Sequence, residues 1–236
     1  MTDGEGESPP TDAAPRSKAE LRAQTMIRRQ KRNLRKASAE GFLAGVAAML
    51  RPGDLVMDCG ANVGVITAIL AETGADVLAF EPDPFAFGEL SAKFKDHPHV
   101  TLINAAVGAS AGKVRLMRAS NFADNPTTAS VKSTILPGGR AIDASAGFDV
   151  ALISFPDLLR EQIAAGREVA FVKMDIEGAE LEILEALDAQ GLLAQIRCIV
   201  VETHERKFKD LRPRYKALRE TLAEKYPGKR VNLDWI

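Results

Sequence analysis

The sequence predicts a doubly wound, mainly parallel α/β sheet preceded by a helical extension. Three observations predict it. From Asp54 onward, short β-rich runs alternate with helical patterns, the order that produces parallel strands joined by crossover helices. The first of these runs passes through Gly60-Ala61-Asn62-Val63-Gly64 directly into a helix. The length, 236 residues with 46% hydrophobic and 27% charged, suits one good-sized core and not two large domains.

The elements follow in order. Residues 1–20 are rich in Gly, Pro, Ser, Thr and acids, lack apolar periodicity, and are expected to be a disordered tail. Residues 21–50 read as a basic helix: Arg22, Arg28, Arg29, Lys31, Arg32, Arg35 and Lys36 precede an apolar face at Phe42, Val46, Met49 and Leu50, and Pro52-Gly53 ends it. The remaining residues, 51–236, form the main domain. Its predicted strands are Leu55–Cys59, Val77–Phe80, Val100–Asn104, Asp149–Ile153, Val169–Met174, Ile196–Val201 and Val231–Trp235, with Lys113–Arg118 alternating as an extra edge strand would. Its predicted helices are Gly64–Thr73, Pro84–Phe94, Ala179–Leu187 and Leu211–Ala223. Asp83 suits an N-cap and Pro84 the first helical position. The polar stretch Ala119–Phe148, with Asn121, Asn125, Thr127, Thr128, Ser130, Ser133, Thr134 and Gly138-Gly139, is expected to be an acceptor-binding lid.

Charge and composition exclude several classes. The formal charge of −1 gives no field over the whole chain for gripping nucleic acid or an anionic membrane. It divides unevenly, with nine basic and six acidic residues in 1–50 against 22 and 26 in 51–236. No aromatics interleave with Arg28–Lys36, so base stacking gains no support, while an anionic partner such as a phosphate-linked sugar remains open to the basic helix. No apolar run approaches a membrane span, and the polar, acidic N-terminus is unlike a signal peptide, so a cytoplasmic location is expected. The two cysteines, Cys59 and Cys198, lie in apolar runs and are expected to be reduced core residues.

In doubly wound sheets ligands sit beyond the carboxyl ends of the strands. The glycine turn after Leu55–Cys59 lets backbone N–H groups approach a carboxylate or phosphate. A dinucleotide fingerprint needs glycines where this chain has Asn62 and Val65, which disfavours an NAD-linked oxidoreductase. Glu81 follows the glycine loop at about the 20-residue distance at which an acid accepts hydrogen bonds from ribose hydroxyls. Loop and acid together point to an adenosine-containing cofactor.

The runs VMDCGANVGVIT, FEPDP, INAAVG, FVKMDIEGAELEILEAL and VVETH, in this order over residues 53–205, resemble the FkbM family of S-adenosylmethionine (SAM) dependent O-methyltransferases. The resemblance implies the seven-strand, Rossmann-like class I methyltransferase fold and a hydroxyl or carboxyl acceptor on a sugar, glycan, polyketide or related metabolite. It places Asp58, Gly60, Ala61, Asn62 and Gly64 around the methionine part of SAM, Glu81 on the ribose, and Asn104 and Ala105 beside the adenine. The adenine also needs a dry slot, which Pro82 and Phe85 are expected to help wall. Asp175 and Glu177, which belong to the family motif, rank first as catalytic groups, then His204; Lys173 is either part of that set or a strand-end partner of Asp175. His204 is the side chain whose ordinary pKa best suits proton transfer. An alternative reading gives Asp175, Glu177, Glu202 and His204 to Mg²⁺ or Mn²⁺. A catalytically silent SAM- or nucleotide-binding module is the remaining alternative. The usual sheet ends in a hairpin, so the far edge here is expected to be short or completed by Lys113–Arg118.

Overall fold

The computed structural model describes residues 17–124, 126, 130, 133–136 and 142–235, with the side chains of 143–146 excepted. Asn125, Thr127, Thr128, Gly138 and Gly139 of the expected lid, and residues 1–16 of the expected tail, lie outside the described residues. The N-terminal helix α1 spans Lys18–Met49 and starts inside the stretch assigned to the tail. The reason is a capping box: Ser17 accepts from the Glu20 amide, and the Glu20 side chain receives the Ser17 amide.

Strands β1 (Leu55–Cys59), β2 (Asp76–Phe80) and β3 (Val100–Ile103) alternate with α2 (Val65–Ala71) and α3 (Pro84–Phe94). Asp83 caps α3 by accepting from the Phe85 amide, with Pro84 in its first turn, as the sequence requires. Then come β4 (Ala106–Gly108), β5 (Gly112–Ala119), β6 (Ile142–Ser154), α4 (Phe155–Ala164), β7 (Val169–Met174), α5 (Glu180–Ala189), β8 (Ile199–Val201), α6 (Arg212–Lys225) and β9 (Val231–Asn232). The six-stranded sheet has the order β3-β2-β1-β7-β8-β9, and every strand pair in it is parallel. The order reverses between β1 and β7, which makes their carboxyl ends the switch point where such folds bind ligands.

The sheet is buried on both faces, and β1 shows why. Leu55, Met57 and Cys59 join one core with Phe155, Leu181, Leu184 and Tyr215. Val56 joins the other with Leu70, Leu90, Phe171, Val200 and Trp235. The last turns of α1 pack into this second core through Ala39 and Leu43, and Phe42 meets Trp235 edge-on at 6.3 Å.

Two expectations about the sheet change. The described main sheet has six strands rather than seven, and Lys113–Arg118 does not complete its far edge. That segment lies in β5, the edge of a second sheet of order β4-β6-β5, where it pairs antiparallel with a β6 that is longer than predicted and begins at Ile142. The far edge of the main sheet is the two-residue β9, beside β8. Cys59 is buried as expected, but Cys198 is only half-buried and points its thiol at the Lys229 carbonyl.

Candidate active site

The carboxyl ends of β1, β2 and β7 surround a cleft lined by Gly60, Asn62, Glu81, Pro82, Ala105 and Val107 on one side and Asp175, Ile176 and Glu177 on the other. It holds about 630 Å³ of space, part of it open to solvent. Ser130, Ser133 and Ile135 from the β5–β6 connection close its rim. Asn62 Nδ2 donates to Ser130 Oγ at 3.2 Å, and Thr134 Oγ1 donates to the Glu177 carbonyl at 2.6 Å. The described part of the expected lid therefore forms a wall of the cleft.

The glycine loop performs differently from the expectation that its amides face a ligand. Gly60 and Ala61 both donate to the Phe80 carbonyl, Asn62 donates to Glu81 Oε2 at 2.8 Å, Val63 to Asn62 Oδ1, and Gly64 to the Ala61 carbonyl. Every amide from 60 to 64 is used within the protein. With only seven residues, α2 adds no separate anion site. What the loop offers the cleft is the Asn62 side chain and its own close packing. Gly60 has φ +81°, and a Cβ there would sit 1.9 Å from the Asp175 carbonyl oxygen. The glycine is thus required by the contact between the β1 and β7 turns. Asn62 and Glu177 are the two non-glycine residues with positive φ among those described, one in each facing turn.

Glu81 leaves β2 with Oε1 accepting from the Asp83 amide and Oε2 from the Asn62 amide, both at 2.8 Å. Burial nevertheless pushes its carboxyl up to about 7, so it gains from further hydroxyl donors in the cleft. Pro82 and Ala105 line the cleft, but Asn104 does not: its Nδ2 donates to the Glu81 and Pro82 carbonyls and shapes the β2 turn from outside.

Asp58 and Lys173 face each other in the β1–β7 register and are almost wholly buried. Lys173 Nζ donates to the Gly60 carbonyl at 2.7 Å and lies 3.4 Å from Asp58 Oδ1 and 3.7 Å from Asp175 Oδ2. Burial opposes its charge, but Asp58 and Asp175 outweigh burial and hold the ammonium above its usual range. Asp58 Oδ2 accepts from Thr67 Oγ1 at 2.7 Å, and neither Asp58 nor Lys173 lines the cleft. Lys173 holds the glycine loop through the Gly60 carbonyl, and Asp58 joins Lys173 to Thr67 of α2.

His204, just beyond β8, joins the remaining groups. Its Nδ1 lies 2.9 Å from Glu180 Oε1, and its Nε2 is 3.4 Å from Glu177, 3.8 Å from Asp175 and 3.9 Å from Glu202. Burial alone would lower its pKa, but the Glu180 hydrogen bond and the charges of Glu180, Glu177 and Asp175 raise it to about 9. At neutral pH it is an imidazolium, which corrects its selection as a base from the ordinary histidine pKa. Glu177 also pairs with Lys207, yet burial still shifts its carboxyl upward; burial and the neighbouring Asp175 charge raise Glu202 to about 7.

Glu180 escaped the sequence reading. It is fully buried in the first turn of α5, accepts from the Ile176 amide at 3.0 Å, and contacts the Tyr215 hydroxyl at 3.4 Å. An acid in a helix's first turn ordinarily signals a solvated end, so nothing local distinguished it. Among the described residues, the donor atoms that gather within 4.8 Å of one another belong to Asp175, Glu180 and His204. Glu180 thereby stands where the metal alternative had Glu177 and Glu202. The cluster already contains its own cations in His204 and Lys207.

The profile described as "Methyltransferase FkbM domain" matches residues 58–229. The chain is 29% identical over 195 residues to "Methyltransferase sdnD" of Sordaria araneosa, covering 73% of this chain and 74% of that protein. It is 25% identical over 181 residues to "31-O-demethyl-FK506 methyltransferase FkbM" of Streptomyces tacrolimicus, covering 66% and 67%. It is 26% identical over 152 residues to "Hexuronic acid methyltransferase AglP" of Haloferax volcanii, covering 64% of this chain and 56% of that protein. No helix of the described residues is long and apolar enough to cross a membrane. A match that begins at Asp58 of the glycine loop and spans most of the folded chain joins these findings to the cleft: the protein belongs to the FkbM family and is a SAM-dependent methyltransferase.

Proposed function

We propose that the protein transfers a methyl group to a hydroxyl oxygen of a sugar, polyketide or related small metabolite. The observation that carries this reading is the placement of Glu177, a partly buried acid with an upward-shifted carboxyl, on the wall of the cleft opposite Glu81. The names of two relatives, one an O-demethyl-compound methyltransferase and one a hexuronic acid methyltransferase, support an oxygen acceptor.

The residues fit SAM. Glu81 receives the ribose hydroxyls that its raised carboxyl lacks, and Pro82, Ala105 and Val107 give adenine a dry wall. Asp175, beside Gly60 in the cleft, suits the amino group of the methionine part. Bound SAM supplies a methyl group on a positively charged sulfur, so its transfer to a hydroxyl releases one proton. Glu177 takes that proton on its carboxylate, and the His204 imidazolium and Lys207 balance the carboxylate charge before it does so.

Calorimetric titration with SAM and with NAD tests the cofactor: micromolar SAM binding with no NAD binding supports it, and the reverse overturns it. For the base, Glu177→Gln is expected to lower kcat by roughly 10²–10⁴-fold with the SAM affinity unchanged. Turnover retained in that variant would reassign the base. Complete absence of methyl transfer to any hydroxyl in the wild-type chain, with SAM bound, would make it a silent binding module.

A further inference from the structure

A second cleft is lined by Arg35 of α1, by residues 202–207, and by Arg219, Leu233 and Asp234. Glu202 and His204 belong to this cleft, Asp175 and Glu177 to the first, and His204 Nε2 is within 3.4–3.9 Å of all three acids. One side-chain cluster thus contributes lining residues to both clefts.

The lining carries four Lys and Arg side chains against three Asp and Glu. Arg219 is engaged by Asp234, Thr203 and the Leu233 carbonyl, with Glu205 at 3.5 Å. Lys207 is paired with Glu177. Glu202, raised to about 7, is incompletely ionised at neutral pH. The guanidiniums of Arg35 and Arg206 are exposed, and neither has an acidic partner among the described residues.

The helix that supplies Arg35 extends this surplus. Arg28, Arg32 and Arg35, at spacings of four and three, continue the stripe of Ala39, Phe42, Leu43 and Val46 by which α1 docks on the body. No residue of α1 before Ala39 is buried, so the arginine part of the stripe is exposed, and Arg35 at its near end lines the second cleft. The exposed apolar residues Met26, Ile27 and Leu34 occupy other faces of the helix, while exposed Leu21, seven residues before Arg28, lies on the stripe.

We infer that the second cleft is an oxyanion subsite: Arg35 and Arg206 bind a phosphate or carboxylate carried by the acceptor, and thereby aim its hydroxyl at Glu177. Guanidinium pairs suit this chemistry because each presents two parallel donors to two oxygens. The inference rests on the methyl-transfer reading and narrows its acceptor to an anionic one.

The test uses the full chain saturated with SAM and titrated calorimetrically with inorganic pyrophosphate, glucuronate and glucose. Binding of pyrophosphate or glucuronate but not glucose is expected, and the stronger of the two identifies phosphate or carboxylate as the group recognised. Arg35→Gln and Arg206→Gln should each weaken that binding about tenfold or more, with Arg→Lys recovering part of it and the SAM affinity and thermal midpoint unchanged. Both side chains are exposed, so the variants are expected to fold. Equal binding of the anions to wild type and both variants, or no anion binding at all by a chain that binds SAM, overturns the subsite and leaves the methyltransferase reading standing. Loss of SAM binding itself in the wild type would instead remove the reading on which the subsite rests.

Discussion

Glu81 illustrates how much one side chain carries. Its carboxylate ties the glycine loop to the β2 turn through two backbone amides and still faces the cleft with spare acceptor capacity. Replacing it with Gln removes the charge and one acceptor, and calorimetry is expected to show SAM bound about tenfold more weakly, the scale of one hydrogen bond to a charged group. Undiminished affinity would remove Glu81 from the ribose contact. Lys173 acts without touching the cleft: it balances Asp58 and clamps the Gly60 carbonyl. Lys173→Met leaves the buried Asp58 uncompensated, and chemical denaturation should report a loss of about 3–5 kcal/mol. The double variant with Asp58→Asn should recover much of that loss, because it removes the unpaired charge.

The turns and the second sheet set the shape of the site. Gly60→Ala puts a methyl group into the Asp175 carbonyl at a φ that L-residues disfavour, so the β1 and β7 turns must separate. Thermal or urea unfolding is expected to register a loss of about 3 kcal/mol or more, and a neutral result would show that the contact yields easily. Arg118, on β5, donates twice to the buried Asp83 at 2.7 Å and lies against Phe122 and Phe148. It fastens the second sheet to the capped start of α3, beside the cleft. Arg118→Met should therefore loosen the wall formed by Ser130 and Ser133, raising amide exchange in the β5–β6 region while α5 and β7 stay protected.

Over the whole molecule, the acid cluster sets a pH response. The folded state holds His204 near 9 against an ordinary 6.5, so its contribution to stability is complete below 6.5 and is lost as pH rises through about 9. Glu81 and Glu202, raised from 4.5 to about 7, favour the folded state when protonated, and their contribution falls as pH rises from 4.5 through 7. Both effects have the same sign, so the urea midpoint should decline between pH 6 and pH 9.5, and His204→Asn should flatten the upper half of that decline. Much of this architecture was legible in the residues. Period, caps and glycine turns placed β1, β2, α3 and β7 within a residue, and the spacing from Gly60 to Glu81 identified one wall of the cleft. These signals are local: they depend on neighbours a few positions away. The second sheet escaped because β4 is three residues long and the start of β6 lacks clear alternation, so long-range pairing alone made them strands. Glu180 escaped for the same reason, since only the fold buries it between His204 and Tyr215. The sequence by itself determined the fold class, the family and the cofactor, because those reside in local patterning and in one ordered set of motifs. Tertiary structure alone decided that the loop amides are already occupied, that the acids around His204 raise its pKa, and that Arg35 and Arg206 line one cleft, because each depends on which distant residues the fold brings together.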